Sequence, residues 1–228
     1  MNDCTISNGR RAGGLALLWN NVVNVEILQA NKNFLDMYIT SSDSNLTWYA
    51  IGFYGYPYYS SKHLTCKVIQ DISLDRNNDK WLIFWDFNLL TNSSEKLGGN
   101  CIDYNHTKLF NETLNNCALK DLGYTGHIFT WANNQSDKMH IQERIDRYCA
   151  NSNWLNLFLR YINIHLLRYT SDHNPILLEF HEASTNIFNY NHTKIQKFEQ
   201  MWAQDQESVQ IVKKAWNNST DPDPMKLK

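Results

Sequence analysis

The segment 81–88 ends in two polar residues of types that could serve hydrolysis. It reads Trp-Leu-Ile-Phe-Trp-Asp-Phe-Asn, a short apolar run that predicts a strand buried on both faces, ending in Asp86 and Asn88. Residues two apart on a strand point to the same side, so a carboxylate and an amide would project together where the strand ends. An Asx turn, in which both residue types are common, is an equally good interpretation of this stretch alone.

Two further polar groups stand beside apolar segments later in the chain. Asp146 lies in the sequence Arg-Ile-Asp-Arg at 144–147, and Asp172 and His173 lie just before Pro175. A carboxylate can hold a divalent cation or accept a proton from water, and an amide can orient a phosphate oxygen. A histidine oriented by a second carboxylate can stabilise a charged phosphate transition state. Together these side chains suit phosphodiester hydrolysis. Taken singly, Asp146 could be an exposed ion-pair partner of its neighbouring arginines, and the Asp-His pair could be a turn.

Composition narrows the class of protein. The 228 residues are 43% hydrophobic and 13% aromatic, which is enough for a packed core and excludes wholesale disorder. A net charge of −2 gives no support to binding nucleic acid through a broadly basic surface. The five cysteines are odd in number and lack zinc-site spacing, so we interpret them as reduced thiols of an intracellular protein. The sequence predicts neither secretion nor a membrane span, because it has no signal peptide and no 18-residue apolar run.

Apolar periodicity predicts both strands and helices. Strands are expected at 13–19, 22–28, 34–40, 47–54, 81–88, 128–131, 142–150, 162–167 and 176–180. Helices are expected at 62–76, at 107–119 with Gly123 as a capping and stopping residue, and as one or more turns at 153–158. A helix between strands indicates a sheet that is covered by helices.

The character of the sequence changes after residue 181. The following stretch is polar and rich in asparagine, and apolar residues return at helical spacing within 194–216. We therefore predict a first domain at 1–181, followed at 182–228 by a linker and a helical connector.

Eight short motifs occur in an order that a known family shares, over about residues 9–180. They are Gly-Gly-Leu-Ala-Leu-Leu-Trp at 13–19, Gly-Phe-Tyr-Gly at 52–55, Asp-Phe-Asn at 86–88, Glu-Lys-Leu-Gly-Gly at 95–99, Asp-Leu-Gly-Tyr at 121–124, Phe-Thr-Trp at 129–131, Glu-Arg-Ile-Asp-Arg at 143–147 and Ser-Asp-His-Asn-Pro at 171–175. With these motifs the chain resembles the endonuclease/exonuclease/phosphatase superfamily, which has the deoxyribonuclease I-like fold. Within that superfamily it looks like the endonuclease domain of plant LINE-type (non-LTR) retrotransposons. Residues 198–216 resemble the connector that precedes the reverse transcriptase of such elements. The resemblance implies an α/β (α+β) fold, a four-layer sandwich of two mostly antiparallel β-sheets flanked by helices.

The resemblance also implies a role for each polar residue. Asp86 would position or deprotonate the attacking water, and Asn88 would help to place the water and the phosphate. His173 would stabilise the transition-state phosphate and would be oriented by Asp146. Asp172 would contribute to a Mg²⁺ site, and DNA would be the partner. A nuclear location is implied as well, although the sequence has no targeting signal.

A tyrosine that contacts the phosphate is also implied. Tyr54 is the first candidate, but the family often has Tyr-x-Pro, whereas two residues separate Tyr54 from Pro57 here. Tyr56 is therefore a competing candidate.

Two departures from the family pattern weaken the catalytic interpretation. Trp85 stands where the family usually has glycine, and its indole could crowd the pocket. The family's metal-binding Glu and a further Asn precede the 13–19 motif, and neither has a counterpart in this chain. We therefore expect a domain that is truncated at its N-terminus, with its first strands missing and its Mg²⁺ affinity weakened.

Three functions remain open from the sequence. The first is a DNA endonuclease-like domain that is inactive or impaired. The second is an active phosphodiesterase or phosphatase of the same superfamily, with a substitute metal ligand. The third is a non-catalytic interaction or nucleic-acid-binding remnant. An incomplete sheet with an exposed apolar edge also predicts poor solubility.

Overall fold

The computed structural model describes residues 15–76 and 78–181, the backbone of 6–7 and 10–11, and Gln210. Its strands are β1 (Ile6–Ser7), β2 (Arg10–Arg11), β3 (Val23–Ala30), β4 (Phe34–Ser41), β5 (Thr47–Tyr54), β6 (Trp81–Asp86), β7 (Lys96–Leu97), β8 (Leu119–Asp121), β9 (Thr125–Gly126), β10 (Trp131–Ala132), β11 (Gln142–Glu143), β12 (Asp146–Asn151), β13 (Arg160–His165) and β14 (Ile176–His181). Its helices are α1 (Lys62–Asp75), α2 (Tyr104–Asn116) and α3 (Ser152–Leu157), with single 3₁₀ turns at Tyr59–Ser61, Ser93–Glu95 and Asp137–Met139.

A large six-stranded sheet carries the candidate site. Its strand order is β3-β4-β5-β6-β12-β8, and all neighbours are antiparallel except β5 and β6. Parallel neighbours need a crossover connection, and α1 supplies it here. β5 and β6 are rich in the aromatic and β-branched residues that favour strands. Because β6 is a central strand, Trp81, Leu82 and Ile83 are buried on its two faces, as the sequence predicts, whereas Trp85 is exposed.

Successive side chains of these strands point to opposite faces of the sheet, and this divides the core into two clusters. On one face, Ile51 and Ile83 pack with α1 and α2 in what we call the helix-side core. On the other face, Leu82 and Ala150 pack with residues of α3, β13 and β14 in the sheet-side core. The second sheet has the order β14-β13-β9 and packs across this sheet-side core. The predicted α+β sandwich, with two mostly antiparallel sheets and helices outside, is confirmed.

One long predicted strand is divided at the site. The sequence predicts a strand or bent strand at 142–150, and the structure has β11 and β12 with a bend at 144–145. The hydroxyl oxygen of Thr130 accepts hydrogen bonds from the backbone N–H groups of Ile145 and Asp146, both at 3.0 Å. The bend therefore leaves no unpaired amide at these two positions.

The prediction of a buried strand at 13–19 is wrong for the residues that the structure describes. Residues 15–20 are irregular, with Leu18 89% exposed, although Leu15 and Leu17 pack against the sheet-side core. Apolar side chains alone do not make a strand, because the backbone also needs a partner strand for its hydrogen bonds. Within the described part of the chain, no strand pairs with this segment.

Two smaller predictions are also corrected. Helix α2 ends at Asn116 with Cys117 as its C-cap, so Gly123 does not stop the helix. Gly123 instead has a φ of +68° in the turn after β8, where a left-handed backbone favours glycine. The strand predicted at 128–131 is only the pair Trp131–Ala132.

The C-terminal prediction stays untested. Residues Met1–Thr185 form one unit and Asn186–Lys228 a second, and nearly all of the second lies outside the described residues. The expected boundary at 181 and the helices within 194–216 therefore remain predictions. Among the described residues, no helix is long and apolar enough to cross a membrane.

Candidate active site

Two buried carboxylates stand side by side on adjacent strands of the large sheet. Asp86 ends β6 and Asp146 begins β12, and the antiparallel register pairs them directly. Their exposed fractions are 4% and 3%. On the other side of β6, the parallel register pairs Asp86 with Tyr54, the last residue of β5. Three residues that the sequence places far apart are thus in neighbouring positions at one end of the sheet.

Asn88 is fixed to Asp86 by an Asx turn. The backbone N–H of Asn88 donates to one carboxylate oxygen of Asp86 at 2.8 Å, and its side-chain amide donates to the other at 2.9 Å. The same amide donates to the carbonyl of Gly55 at 3.1 Å. Asn88 has a φ of +53°, a conformation that asparagine tolerates better than most residues. The Asx-turn interpretation and the interpretation that the two side chains project together are therefore both correct. The turn itself brings the Asn88 amide to the Asp86 carboxylate.

His173 is held by Asp146. The distance between Nδ1 of His173 and Oδ2 of Asp146 is 2.9 Å, and the histidine side chain is 33% exposed. The loop is positioned by a β-bridge between Trp131 and His173 and by the side chain of Asn174, which donates to the carbonyl of Phe129 at 2.8 Å. Asp146 is therefore buried and is not an exposed partner of the neighbouring arginines. His173, besides lying in a turn, is part of a hydrogen-bonded cluster with Asp146.

The electrostatics of this group favour a proton on Asp86 near neutral pH. Burial and the adjacent charge of Asp146 raise the pKa of Asp86 to about 7, against the lowering effect of His173 and of the Asn88 hydrogen bonds. Burial alone would lower the pKa of His173, but the hydrogen bond and the charge of Asp146 outweigh burial and raise it above its ordinary value. A carboxyl with a pKa near 7 beside a readily protonated imidazole is an arrangement typical of acid–base catalysis.

The tyrosine candidates differ in their surroundings. Tyr54 is 41% exposed, and burial and the charge of Asp86 raise its pKa, with a smaller contribution from Asp172. Its hydroxyl is thus within electrostatic range of both carboxylates. The ring of Tyr56 instead lies under the ammonium group of Lys32, 5.8 Å from it. This geometry favours Tyr54 as the residue that faces the site.

Asp172 lies at the exposed rim of the site. Its Oδ2 accepts a hydrogen bond from the indole N–H of Trp131 at 3.0 Å. Burial raises the pKa of this carboxyl, but the Trp131 hydrogen bond and the nearby His173 outweigh burial and lower the pKa below its ordinary value. Asp172 is therefore an ionised carboxylate that already has one protein partner.

The described residues do not form a complete metal site. Among them, no group of three His, Cys, Asp or Glu side chains could hold an ion together. Both carboxylate oxygens of Asp86 accept hydrogen bonds from Asn88, and Asp146 is engaged with His173. Mg²⁺ can be bound by one or two carboxylates with water and substrate oxygens, so these residues would hold it weakly. The predicted contribution of Asp172 to a metal site is not tested by this geometry.

A buried ion-pair network supports the site, and the sequence reasoning assigned it no function. Arg144 and Arg147 both contact Glu95 and Asp121, at N–O distances of 2.7 to 3.0 Å. The Arg147 side chain is fully buried and also donates to the carbonyl of Leu89 at 3.1 Å. The network thus links the segment after Asn88 to the start of β12. The sequence signal was present in three of the eight motifs, but apolar periodicity cannot reveal a buried arginine.

The fold is similar to that of a solved retrotransposon endonuclease domain. The endonuclease domain of TRAS1, a telomere-specific non-LTR retrotransposon, matches 72% of this chain and 71% of its own length, with 16% identity and a TM-score of 0.57. The AP endonuclease LMAP from Leishmania major matches 66% of this chain and 55% of its own length, with 11% identity and a TM-score of 0.48. No protein-family model matches the sequence, and no curated protein does.

This chain has the deoxyribonuclease I-like fold. Identity this low establishes the fold and leaves the chemistry to be argued from the side chains.

Trp85 occupies a backbone position suited to glycine. Its φ is +104°, a value that L side chains rarely adopt. Glycine would adopt this φ without strain. The indole is not inside the carboxylate cluster: it stacks on Phe84, with ring centroids 6.4 Å apart and planes 9° apart, and it is 40% exposed. Trp85 is therefore beside the site, on its surface.

Proposed function

We propose that this chain carries a DNA endonuclease-like centre for phosphodiester hydrolysis, with an incomplete metal site and a severely reduced rate. The observation that carries this proposal is the contact between His173 and Asp146, with Asp86 directly beside Asp146 on the next strand. A plain structural turn would not require two buried carboxylates and a histidine to converge at a sheet end.

Asp86 is the base in the proposed reaction. As a carboxylate it takes a proton from water, and the resulting hydroxide oxygen attacks phosphorus while the bond from phosphorus to the leaving oxygen breaks. The leaving oxygen keeps the bonding electron pair and takes a proton from solvent. Asn88 holds the Asp86 carboxylate by two hydrogen bonds, which fixes the direction from which the proton is taken. Both amide hydrogens are donated, to Asp86 and to the carbonyl of Gly55, so it is the amide oxygen of Asn88 that would accept a hydrogen bond from the attacking water.

His173 stabilises the charge that develops on the phosphate oxygens. Asp146 holds the ring through Nδ1 and favours the imidazolium, so the other ring nitrogen can donate to a phosphate oxygen. Tyr54 adds a hydroxyl donor at the same end of the sheet. Loss of one such donor commonly lowers the rate by a factor of about 10² to 10³.

Mg²⁺ would supply additional charge stabilisation at the phosphate, and Asp172 is the carboxylate that we propose as its protein ligand. The retrotransposon endonuclease among the similar structures supports DNA as the substrate, and a DNA substrate would be met in the nucleus. Because so few carboxylates are free to bind an ion, we expect saturation only at millimolar or higher Mg²⁺ or Mn²⁺.

Nicking of supercoiled plasmid across a titration of each ion tests this proposal. We expect slow nicking that rises over the millimolar range without reaching a plateau, and none in EDTA. Rapid nicking that saturates at micromolar Mg²⁺ would contradict the incomplete site. Absence of nicking at every concentration would contradict catalysis altogether.

A further inference from the structure

The position of the Trp85 indole is unusual for its place in β6. Ile83, two residues earlier, belongs to the helix-side core, so alternation would direct Trp85 to the same face. Instead the indole packs on Phe84, and its Cε3 lies 3.9 Å from where a Cβ at Gly52 would stand. The φ of +104° thus turns Trp85 onto the opposite face. Strained backbone of this kind persists where the surroundings enforce it, and it is concentrated at functional sites.

Trp85 forms the outer end of a stack of three rings. Phe84 stacks in turn on Tyr148, with centroids 5.5 Å apart and planes 20° apart. Phe84 and Tyr148 are register partners on β6 and β12, two positions before and after the paired Asp86 and Asp146. By strand rise the aromatic pair lies about 7 Å from the carboxylate pair. An exposed flat ring therefore lies within one or two nucleotides of the proposed scissile phosphate.

Charge argues against a broad duplex-binding surface. Affinity for duplex DNA comes largely from basic groups that neutralise phosphates, and this chain has a net charge of −2. Stacking of a base on an exposed aromatic ring needs no net charge and tolerates any sequence, but it requires a base that is not already stacked in a duplex. The exposed 40% of the Trp85 side chain offers such a ring next to the site.

We propose that Trp85 is a stacking platform for an unpaired nucleobase, so that the site takes single-stranded or locally unpaired DNA in preference to a perfect duplex. The platform deepens the proposed nuclease function and rests on it for the identity of the substrate. The rings of Phe84 and Tyr148 support the indole from behind. Trp85 is a substrate-positioning residue and takes no part in proton transfer.

The test measures binding in EDTA, where no hydrolysis occurs. A fluorescent 12-nucleotide single strand and the corresponding duplex are titrated with the full-length chain, with Trp85→Gly and with Trp85→Phe. Trp19→Gly is the matched control, because Trp19 is also exposed, at 52%, and lies in an irregular segment. Urea unfolding of each variant is measured alongside.

We expect the full-length chain to bind the single strand at least tenfold more tightly than the duplex. Trp85→Gly should weaken single-strand binding by about tenfold or more and leave duplex binding unchanged. Its stability should be equal or higher, because glycine accepts a φ of +104°. Trp85→Phe should keep most of the single-strand affinity, and Trp19→Gly all of it.

Two results would overturn the platform. One is unchanged single-strand binding in Trp85→Gly. The other is a loss of stability in Trp85→Gly and Trp85→Phe that accounts for any loss of binding, which would make the indole a packing residue. If nicking fails in the metal titration while these binding results hold, the nuclease proposal fails and the platform stands.

Discussion

Asp86 and Asp146 are direct partners across two antiparallel strands, and both carboxylates are buried. Two like charges at this spacing oppose each other's ionisation. A direct hydrogen bond from His173 offsets this repulsion at Asp146. At Asp86, burial first and the charge of Asp146 second raise the pKa to about 7. In the proposed reaction the two carboxylates therefore have different roles: Asp146 would orient the histidine, and Asp86 would exchange a proton near neutral pH.

This division predicts how any nicking depends on pH. The rate should rise as pH passes through about 7, because Asp86 must be ionised to accept a proton. It should fall at higher pH as His173, with its raised pKa, loses its proton. In Asp146→Asn the limb at low pH should move to lower pH, since a negative charge beside Asp86 is gone. Initial nicking rates between pH 5 and pH 9 measure this, and an unmoved limb would contradict the coupling.

The same pKa makes a prediction for stability. A carboxyl whose pKa is raised on folding favours the folded state at low pH, and that contribution is lost as pH rises toward the folded pKa of about 7. Asp86→Asn cannot ionise and should lack this pH dependence, so its stability relative to the unmodified chain should improve from pH 5 to pH 8 by up to a few kcal/mol. The comparison is made between two pH values because the carboxamide nitrogen loses one of the hydrogen bonds that Asn88 donates to Asp86 at any pH. The variant should not nick. Urea unfolding at pH 5 and pH 8 measures the change, and a stability difference that is the same at both pH values would show that Asp86 does not titrate in this range.

Asn88 allows backbone and side-chain effects to be separated. Asn88→Gly keeps a residue that accepts a φ of +53° but removes the amide that bonds Asp86 and Gly55. We expect this variant to fold with a stability loss of about 1 kcal/mol and to nick at least tenfold more slowly. Asn88→Ala should lose more stability, because alanine does not favour this backbone. Equal stability of the two variants would contradict the importance of the backbone conformation.

The buried ion-pair network should be essential for stability. Glu95→Gln leaves the guanidinium of Arg147 buried beside one fewer charge, and breaking a buried pair costs about 3–5 kcal/mol. The control is Lys67→Met, which removes an exposed pair with Asp71 on α1 and should change stability by about 0.5 kcal/mol or less. Thermal or urea unfolding measures both variants. A loss from Glu95→Gln as small as that from Lys67→Met would contradict the network's role.

Much of the fold was predictable, because alternation and helical spacing determine which residues can be buried. The strand Thr47–Tyr54 and the helix Lys62–Asp75 follow these patterns closely. The segment 13–19 was mispredicted, since an apolar run indicates burial but does not provide a strand to pair with. The extent of Trp131–Ala132 and the end of α2 were also missed, because local turn and cap geometry decides such boundaries.

The site was predictable as a set of residue types and less so as a geometry. Strand alternation placed Asp86 beside Asn88, and residue chemistry together with the family resemblance grouped them with Asp146 and His173. The structure brings these four residues into contact or register. The sequence could not show that the Asp172 carboxylate accepts a hydrogen bond from an indole or that the Trp85 side chain turns to the other face of the sheet. Both features depend on the three-dimensional arrangement of the chain. Their catalytic roles remain proposals.

The central claim is that His173 and Asp146 serve phosphodiester hydrolysis. The most direct measurement compares plasmid nicking at one fixed millimolar concentration of Mn²⁺ by the unmodified chain, His173→Ala and His63→Ala, the last of which replaces an exposed histidine on α1. We predict slow nicking that falls by about 10²-fold or more in His173→Ala and is unchanged in His63→Ala, with all three proteins equally folded. Nicking that persists at the same rate in His173→Ala would contradict the account.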